Sequence, residues 1–145
     1  MKYLLDTDHI SFLQRRSGLE FTCLIARMGQ YTSVDFALSI VSFHEQVLGA
    51  NNFINRARTD TDTVRGYALL LEVLQGFTTA PVLSFDDRAV AVFADLRRQG
   101  VRISTMDLRI AAIAISRNLV LLTRNVSDFS KVPGLVIEDW TVYED

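Results

Sequence analysis

The chain has 145 residues, 49% of them hydrophobic and 22% charged, proportions that suit a folded globular protein and exclude a disordered tail or a disulfide scaffold. At this length one domain covering residues 1–145 is expected. A net charge of −2 and an isoelectric point near 5.6 exclude a protein that grips nucleic acid over its whole surface, so any such contact must be local. Cys23 stands alone and admits no internal disulfide. No run approaches the ~20 apolar residues of a membrane span and no secretory signal is evident, so a cytoplasmic protein is expected.

Short apolar segments bounded by polar residues read as buried parallel strands at residues 2–5, 37–41, 81–85, 119–123 and 135–137. Between them helical spacing predicts helices at 10–14, 19–30, 43–48, 53–74, 88–98 and 108–116. In the long one Tyr67, Leu70, Leu71 and Leu74 recur at offsets of three and four, and Gly76 follows as a stop. Gly49-Ala50-Asn51-Asn52 is expected to form a tight turn between two helices, Gly100 to end the 88–98 helix, and Pro133-Gly134 to lead into the last strand. Alternating strands and helices predict an α/β fold with a central parallel sheet of about five short strands flanked by helices.

Ligands of open α/β sheets bind beyond the carboxyl ends of the strands. The residues found there are Asp6-Thr7-Asp8 after the first strand, Ser42-Phe43-His44-Glu45 after the second, Asp107 opening the 108–116 helix, and Asn125 after the 119–123 strand. Each taken alone has a structural reading. Ser42-x-x-Glu45 and Ser104-x-x-Asp107 are capping-box patterns, and Asp6 or Asp8 is a natural N-cap. Asp6, Glu45 and Asp107 brought together would repel one another, which a fold selected for stability alone has no reason to arrange. A hard divalent cation, Mg²⁺ or Mn²⁺, removes that penalty and activates water for phosphodiester hydrolysis. In that reading Asp6 and Asp107 are direct ligands, and Glu45 is an outer ligand or general base.

The opening Leu4-Leu5-Asp6-Thr7-Asp8, the Ser42-x-x-Glu45 turn and Met106-Asp107-Leu108-Arg109-Ile110-Ala111-Ala112 carry a wider pattern. So does the closing Leu122-Thr123-Arg124-Asn125-Val126-Ser127-Asp128-Phe129 with Val132-Pro133-Gly134-Leu135. In order and spacing, from Met1 to Trp140, these resemble the VapC-type toxins of bacterial toxin–antitoxin pairs, which are PIN-domain ribonucleases. The resemblance implies a Mg²⁺- or Mn²⁺-dependent endoribonuclease that cuts RNA, held inactive by a small cognate antitoxin and commonly a homodimer. Asp6, Glu45 and Asp107 match the family's acidic triad. Asn125 stands where the wider superfamily often has Asp, which keeps an acceptor, removes a charge and makes one-metal chemistry easier to defend than two-metal chemistry.

Other polar residues read as structural. Asp8 is expected to hold the start of the 10–14 helix, Asp86 to cap 88–98, and Asp128 to serve as a loop or capping acid. His44 points about 100° from Glu45 on a helix, His9 is read likewise, and two histidines with one cysteine make a zinc site poor. Arg15, Arg16, Arg97, Arg98, Arg102 and Arg124 are candidates for RNA contact. Two competing functions remain at this point: a catalytically weak PIN-fold binding module, and a haloacid dehalogenase-type phosphatase starting from Asp6-Thr7-Asp8. Such phosphatases need a Lys before their late acidic pair, and none lies between Lys2 and Lys131.

Overall fold

A computed structural model of the protein describes residues 1–143. Five strands form one all-parallel sheet in the order β3-β2-β1-β4-β5. They are β1 (Tyr3–Leu5), β2 (Phe36–Ser39), β3 (Val82–Leu83), β4 (Val120–Leu122) and β5 (Ile137–Glu138). The helices are α1 (Thr7–Arg15), α2 (Leu19–Met28), α3 (Ile40–Arg56), α4 (Asp60–Gly76), α5 (Asp87–Arg98), α6 (Thr105–Ser116) and the one-turn α7 (Val126–Phe129). Every strand is short, and β1 is buried on both faces along its whole length, as parallel strands covered by helices must be.

Two cores lie on opposite faces of the sheet. One packs Leu4, Leu96, Ile110, Ile113, Leu121 and Phe129, so α5, α6 and α7 cover that face. The other packs Leu5, Ile10, Leu24, Val73, Phe77 and Trp140, and α1, α2 and α4 cover it. Trp140 is fully buried among Tyr3, Tyr31 and Phe36, with ring centroids 4.6 to 5.8 Å away. That cluster fastens the end of the chain to the first strand.

The chain runs outward from β1 through β2 to β3, then returns to lay β4 on the other side of β1. The connection order therefore reverses between β1 and β4, and their carboxyl ends open a crevice at that switch point. Leu5 pairs with Leu122 in register, so the next residues, Asp6 and Thr123, face each other across it.

Two expectations are corrected. Gly49-Ala50-Asn51-Asn52 does not break the chain, because α3 runs straight through it to Arg56. Ala50 is buried there, and packing outweighs the ~1 kcal/mol that a glycine costs a helix. The real break falls at 57–59, where the Thr59 hydroxyl accepts from the Asp62 amide to start α4. Gly66 sets the closeness of this hairpin, since a Cβ there would stand 2.6 Å from Ile54 Cγ1. The second correction concerns Ser42, which does not cap a helix. The helix starts earlier, capped by Ser39, whose hydroxyl accepts from the Ser42 amide at 3.0 Å. Ser104 does cap α6 by accepting from the Asp107 amide, and Asp86 caps α5. Among the described residues no helix is long and apolar enough to cross a membrane.

A carboxylate rim at the switch point

Asp6 is the N-cap of α1, with its Oδ1 accepting the Thr7 amide at 2.8 Å. Its Oδ2 accepts from the Thr123 hydroxyl at 2.8 Å, which spans the switch point from β4. The Asn125 amide donates to that same hydroxyl at 3.0 Å. A chain of bonds thus fixes the carboxylate from both strands. Asp6 is only 5% exposed. Burial first, then the charges of Asp8 and Asp107, push its pKa up to about 7, against the opposing pull of its bonds to Thr123 and Thr7.

Glu45 lies in the second turn of α3, half-buried. Burial and the negative charge of Asp107 raise its pKa, partly offset by the Thr7 hydroxyl. Its Oε1 is buried and has no hydrogen-bond partner, an uncompensated acceptor of the kind a folded protein rarely retains without a use. Asp107, third residue of α6, is also half-buried. Its pKa is raised by burial, then by Asp128 and Asp8, with the Ser104 hydroxyl acting the other way. Its carboxylate does not cap the helix, because the Ser104 side chain already serves the Asp107 amide.

The charge of Asp107 therefore reaches both Asp6 and Glu45 at the carboxyl end of the sheet. Among the described residues, however, no three His, Cys, Asp or Glu side chains form a group ready to hold a metal ion. The donor set still suits a hard cation: carboxylates held above their ordinary pKa by burial and neighbouring acids, and one buried oxygen without a partner.

Asn125 caps α7. Its side-chain oxygen accepts from the Asp128 amide at 3.4 Å, and its Nδ2 donates to Asp128 Oδ2 at 3.1 Å, so its amide is turned toward Asp128. Asp128, expected as a loop or capping acid, instead lies within α7 and is capped by Asn125, and its charge reaches Asp107. Asp8 does not cap the helix, which Asp6 does. The Asp8 Oδ2 accepts the Arg124 amide at 2.9 Å, and its Oδ1 takes the Nδ1 of His9 at 2.7 Å. His9 is fully buried, and its Nε2 accepts the Trp140 amide at 3.2 Å. The imidazole therefore ties the chain end to the rim. His44 is not among the groups gathered there, and its side chain is exposed.

Sequence reasoning assigned no role to Thr7, Ser39 or Thr123, and read Ser42 only as a helix cap. Ser39, Ser42 and Thr123 are fully buried, and Thr7 donates to Ser42 at 3.0 Å. These hydroxyls line the floor beneath the acids. The signal for them was a hydroxyl residue beside each rim position, in Asp6-Thr7 and Thr123-Arg124-Asn125.

No family model matches the chain, but individual proteins do. It is 31% identical over 140 residues, 97% of its own length and 98% of the relative's, to the tRNA(fMet)-specific endonuclease VapC of Salmonella typhimurium. It is 28% identical over 144 residues to ribonuclease VapC2 of Haemophilus influenzae, covering 97% and 98% of the two chains. Among solved structures it is similar to DNA-bound VapBC from Salmonella typhimurium, with TM-score 0.76 and 27% identity over 97% of this chain and 98% of that one. VapBC-1 from nontypeable Haemophilus influenzae shares the fold, with TM-score 0.76 and 24% identity over 98% of this chain and 100% of that one. Full-length identity above 30%, a parallel five-stranded sheet and acids gathered at its switch point leave no room for the phosphatase reading: the chain belongs to the VapC family of PIN-fold endoribonucleases, the toxins of toxin–antitoxin systems.

Proposed function

We propose that the protein hydrolyses RNA phosphodiester bonds with Mg²⁺ or Mn²⁺ held by Asp6 and Asp107, with Glu45 as general base or outer ligand. The single observation that carries this is the buried, partnerless Oε1 of Glu45 beside Asp107, whose charge raises the pKa of both Glu45 and Asp6. When bound, the cation would lower the pKa of a water and offset the charge developing on the phosphate. Glu45, its pKa raised by burial and Asp107, is suited to take a proton from the attacking water as that water's oxygen bonds to phosphorus and the ester phosphorus–oxygen bond breaks, the leaving oxygen taking its proton from solvent. Thr123 and the Thr7 amide hold Asp6 in one orientation through both of its oxygens. Asn125, oriented by Asp128, is assigned to the fourth corner, where an amide adds no charge and one metal is the simpler stoichiometry.

The Salmonella relative is named for tRNA(fMet), which makes tRNA the first substrate class to test. The neighbouring structures are of VapBC pairs, and a small antitoxin is the partner proposed for this chain. The exposed row Val64, Tyr67, Leu71 and Leu74 on α4 gives it apolar surface to cover. A homodimer is proposed as well, to be checked by sedimentation. The decisive experiment sequences the RNA ends produced by wild type and by Asp6→Asn, with Mg²⁺, with Mn²⁺ and with chelator. Ends seen only with wild type and metal support the proposal. Identical ends from Asp6→Asn, or cleavage in chelator, overturn it.

A further inference from the structure

Two clusters of the same construction flank the rim, one on each face of the sheet. On the α1 side the Phe12 ring lies under two guanidiniums, those of Arg15 at 5.4 Å and Arg124 at 5.5 Å. On the α5–α6 side the Phe93 ring is likewise shared by Arg97 at 5.4 Å and Arg109 at 5.8 Å. Neither Arg97 nor Arg109 has an acidic partner among the described residues, while Arg124 has only Glu20 at 3.8 Å, both side chains well exposed. Arg109 lies two residues beyond Asp107, and Arg124 directly precedes Asn125. A depression of about 710 Å³ lined by Phe93, Arg97, Ser104 and Asp128 runs from the second ring to Asp128, whose charge reaches Asp107.

In a protein of net charge −2, four arginines gathered on two rings at either side of an acidic cleft are a local exception to the overall charge. A polymer cut at the rim must continue away from it in both directions. A guanidinium already stacked on a ring keeps its in-plane N–H donors for phosphate, and it loses less freedom on binding than an unsupported side chain. An acidic peptide would find the same arginines but has no reason to cross the carboxylates between them. We propose that the Phe12 and Phe93 clusters are the two banks of a single-stranded RNA path, gripping backbone phosphates on opposite sides of the scissile bond. This rests on the RNA-cutting reading above.

The test measures the salt dependence of binding of a short fluorescein-labelled oligouridylate by anisotropy, with Mg²⁺, in the full-length Asp6→Asn background so that the RNA stays intact. Arg97→Gln with Arg109→Gln, and separately Arg15→Gln with Arg124→Gln, should each weaken binding several-fold. Each pair should also flatten the slope of log K against log salt by about 0.7 for every phosphate that is no longer neutralised. Lys at the same positions should restore most of the slope. Arg65→Gln is the control, because Arg65 also stacks on a ring, Phe53, at 5.8 Å. That ring lies eight residues along α3 from Glu45, about 12 Å away, and the slope should not change. Unchanged slopes in either pair, or an equal change in the control, overturn the two-sided path. A change in sedimenting mass with unchanged slopes also overturns it, and assigns the clusters to a contact between copies of the chain. Metal-dependent cleavage of the same RNA by the wild type is scored separately. Cleavage with unchanged slopes sinks only the path, whereas flattened slopes without cleavage sink only the catalytic reading.

Discussion

The β1–α1 and β3–α5 junctions are built alike and charged oppositely. Each follows a strand with an aspartate in extended backbone that caps the next helix, Asp6 directly after β1 on the Thr7 amide at 2.8 Å and Asp86 three residues after β3 on the Ala89 amide at 3.0 Å. At Asp86 the Ala89 amide and the nearby Arg117 and Arg88 hold the carboxyl below its ordinary range. At Asp6 burial, Asp8 and Asp107 drive it up to about 7. The same local motif thus stabilises one charge and penalises the other. A cap needs only a helix N-terminus, so what separates the two is what the tertiary fold gathers around them.

The largest expected contrast is catalytic. Asp6→Asn keeps a good N-cap and removes a charge, so RNA cleavage should fall about a thousandfold or more while the metal-free protein melts no earlier. Asp107→Asn should behave the same way, because Ser104 and not Asp107 caps α6. Cleavage assays and melting curves on both variants check this. Early melting of Asp107→Asn would show that its carboxylate chiefly supports the helix.

Next in size is a pH effect on the metal-free protein. Below the ordinary aspartate pKa of 3.8 Asp6 is protonated both folded and unfolded, and carries no penalty. As pH rises toward 7 the unfolded chain releases the proton while the folded one retains it, so stability falls. Above about 7 the full cost applies, on the order of 4 kcal/mol from a rise of roughly three pKa units at 1.4 kcal/mol each. Denaturant melts between pH 4 and 8 should show this decline. Mg²⁺ or Mn²⁺ should flatten it by favouring the ionised carboxylate and binding the folded state. A flat profile without metal would remove the electrostatic case for the site.

How far this contrast was legible in the sequence differs between the two junctions. Both caps, the parallel sheet and the positions of Asp6, Glu45 and Asp107 could be read from strand and helix periodicity, because those signals are local. The break between α3 and α4 could not, since Gly49-Ala50-Asn51-Asn52 looks like a turn until Ala50 is seen buried, and Thr59 is an inconspicuous cap. The hydroxyl floor was hidden for a similar reason. Ser39 and Ser42 look like ordinary helix-start residues, and Thr123 meets Asp6 only across a separation of 117 residues.

A smaller effect should follow at that floor. Thr123→Val keeps the shape but removes the hydroxyl that donates to Asp6 and accepts from the Asn125 amide. Cleavage should fall about 10- to 100-fold, the usual cost of losing a group that orients a metal ligand, and the protein should melt earlier because the buried Asp6 carboxylate and the part-buried Asn125 amide each lose a partner. Thr123→Ser should restore both. If Ser restores stability without restoring cleavage, the methyl group, and not the hydroxyl, positions the rim.

The smallest change belongs to Asp86. Its carboxyl is held low when folded, so the stability it contributes is present above the ordinary aspartate pKa and is lost only as pH falls through the depressed folded value. This is opposite in sign to Asp6. Asp86→Asn should leave cleavage and neutral-pH stability nearly unchanged, since Asn caps α5 as well as Asp does, and should remove only a shallow loss of stability on the acid side. Melts of the variant across the acid range, set beside those of Asp6→Asn, measure the two signs directly. Were both substitutions to shift stability in the same direction with pH, the two junctions would be ordinary caps and the gathered acids at β1 would not differ from the isolated one at β3.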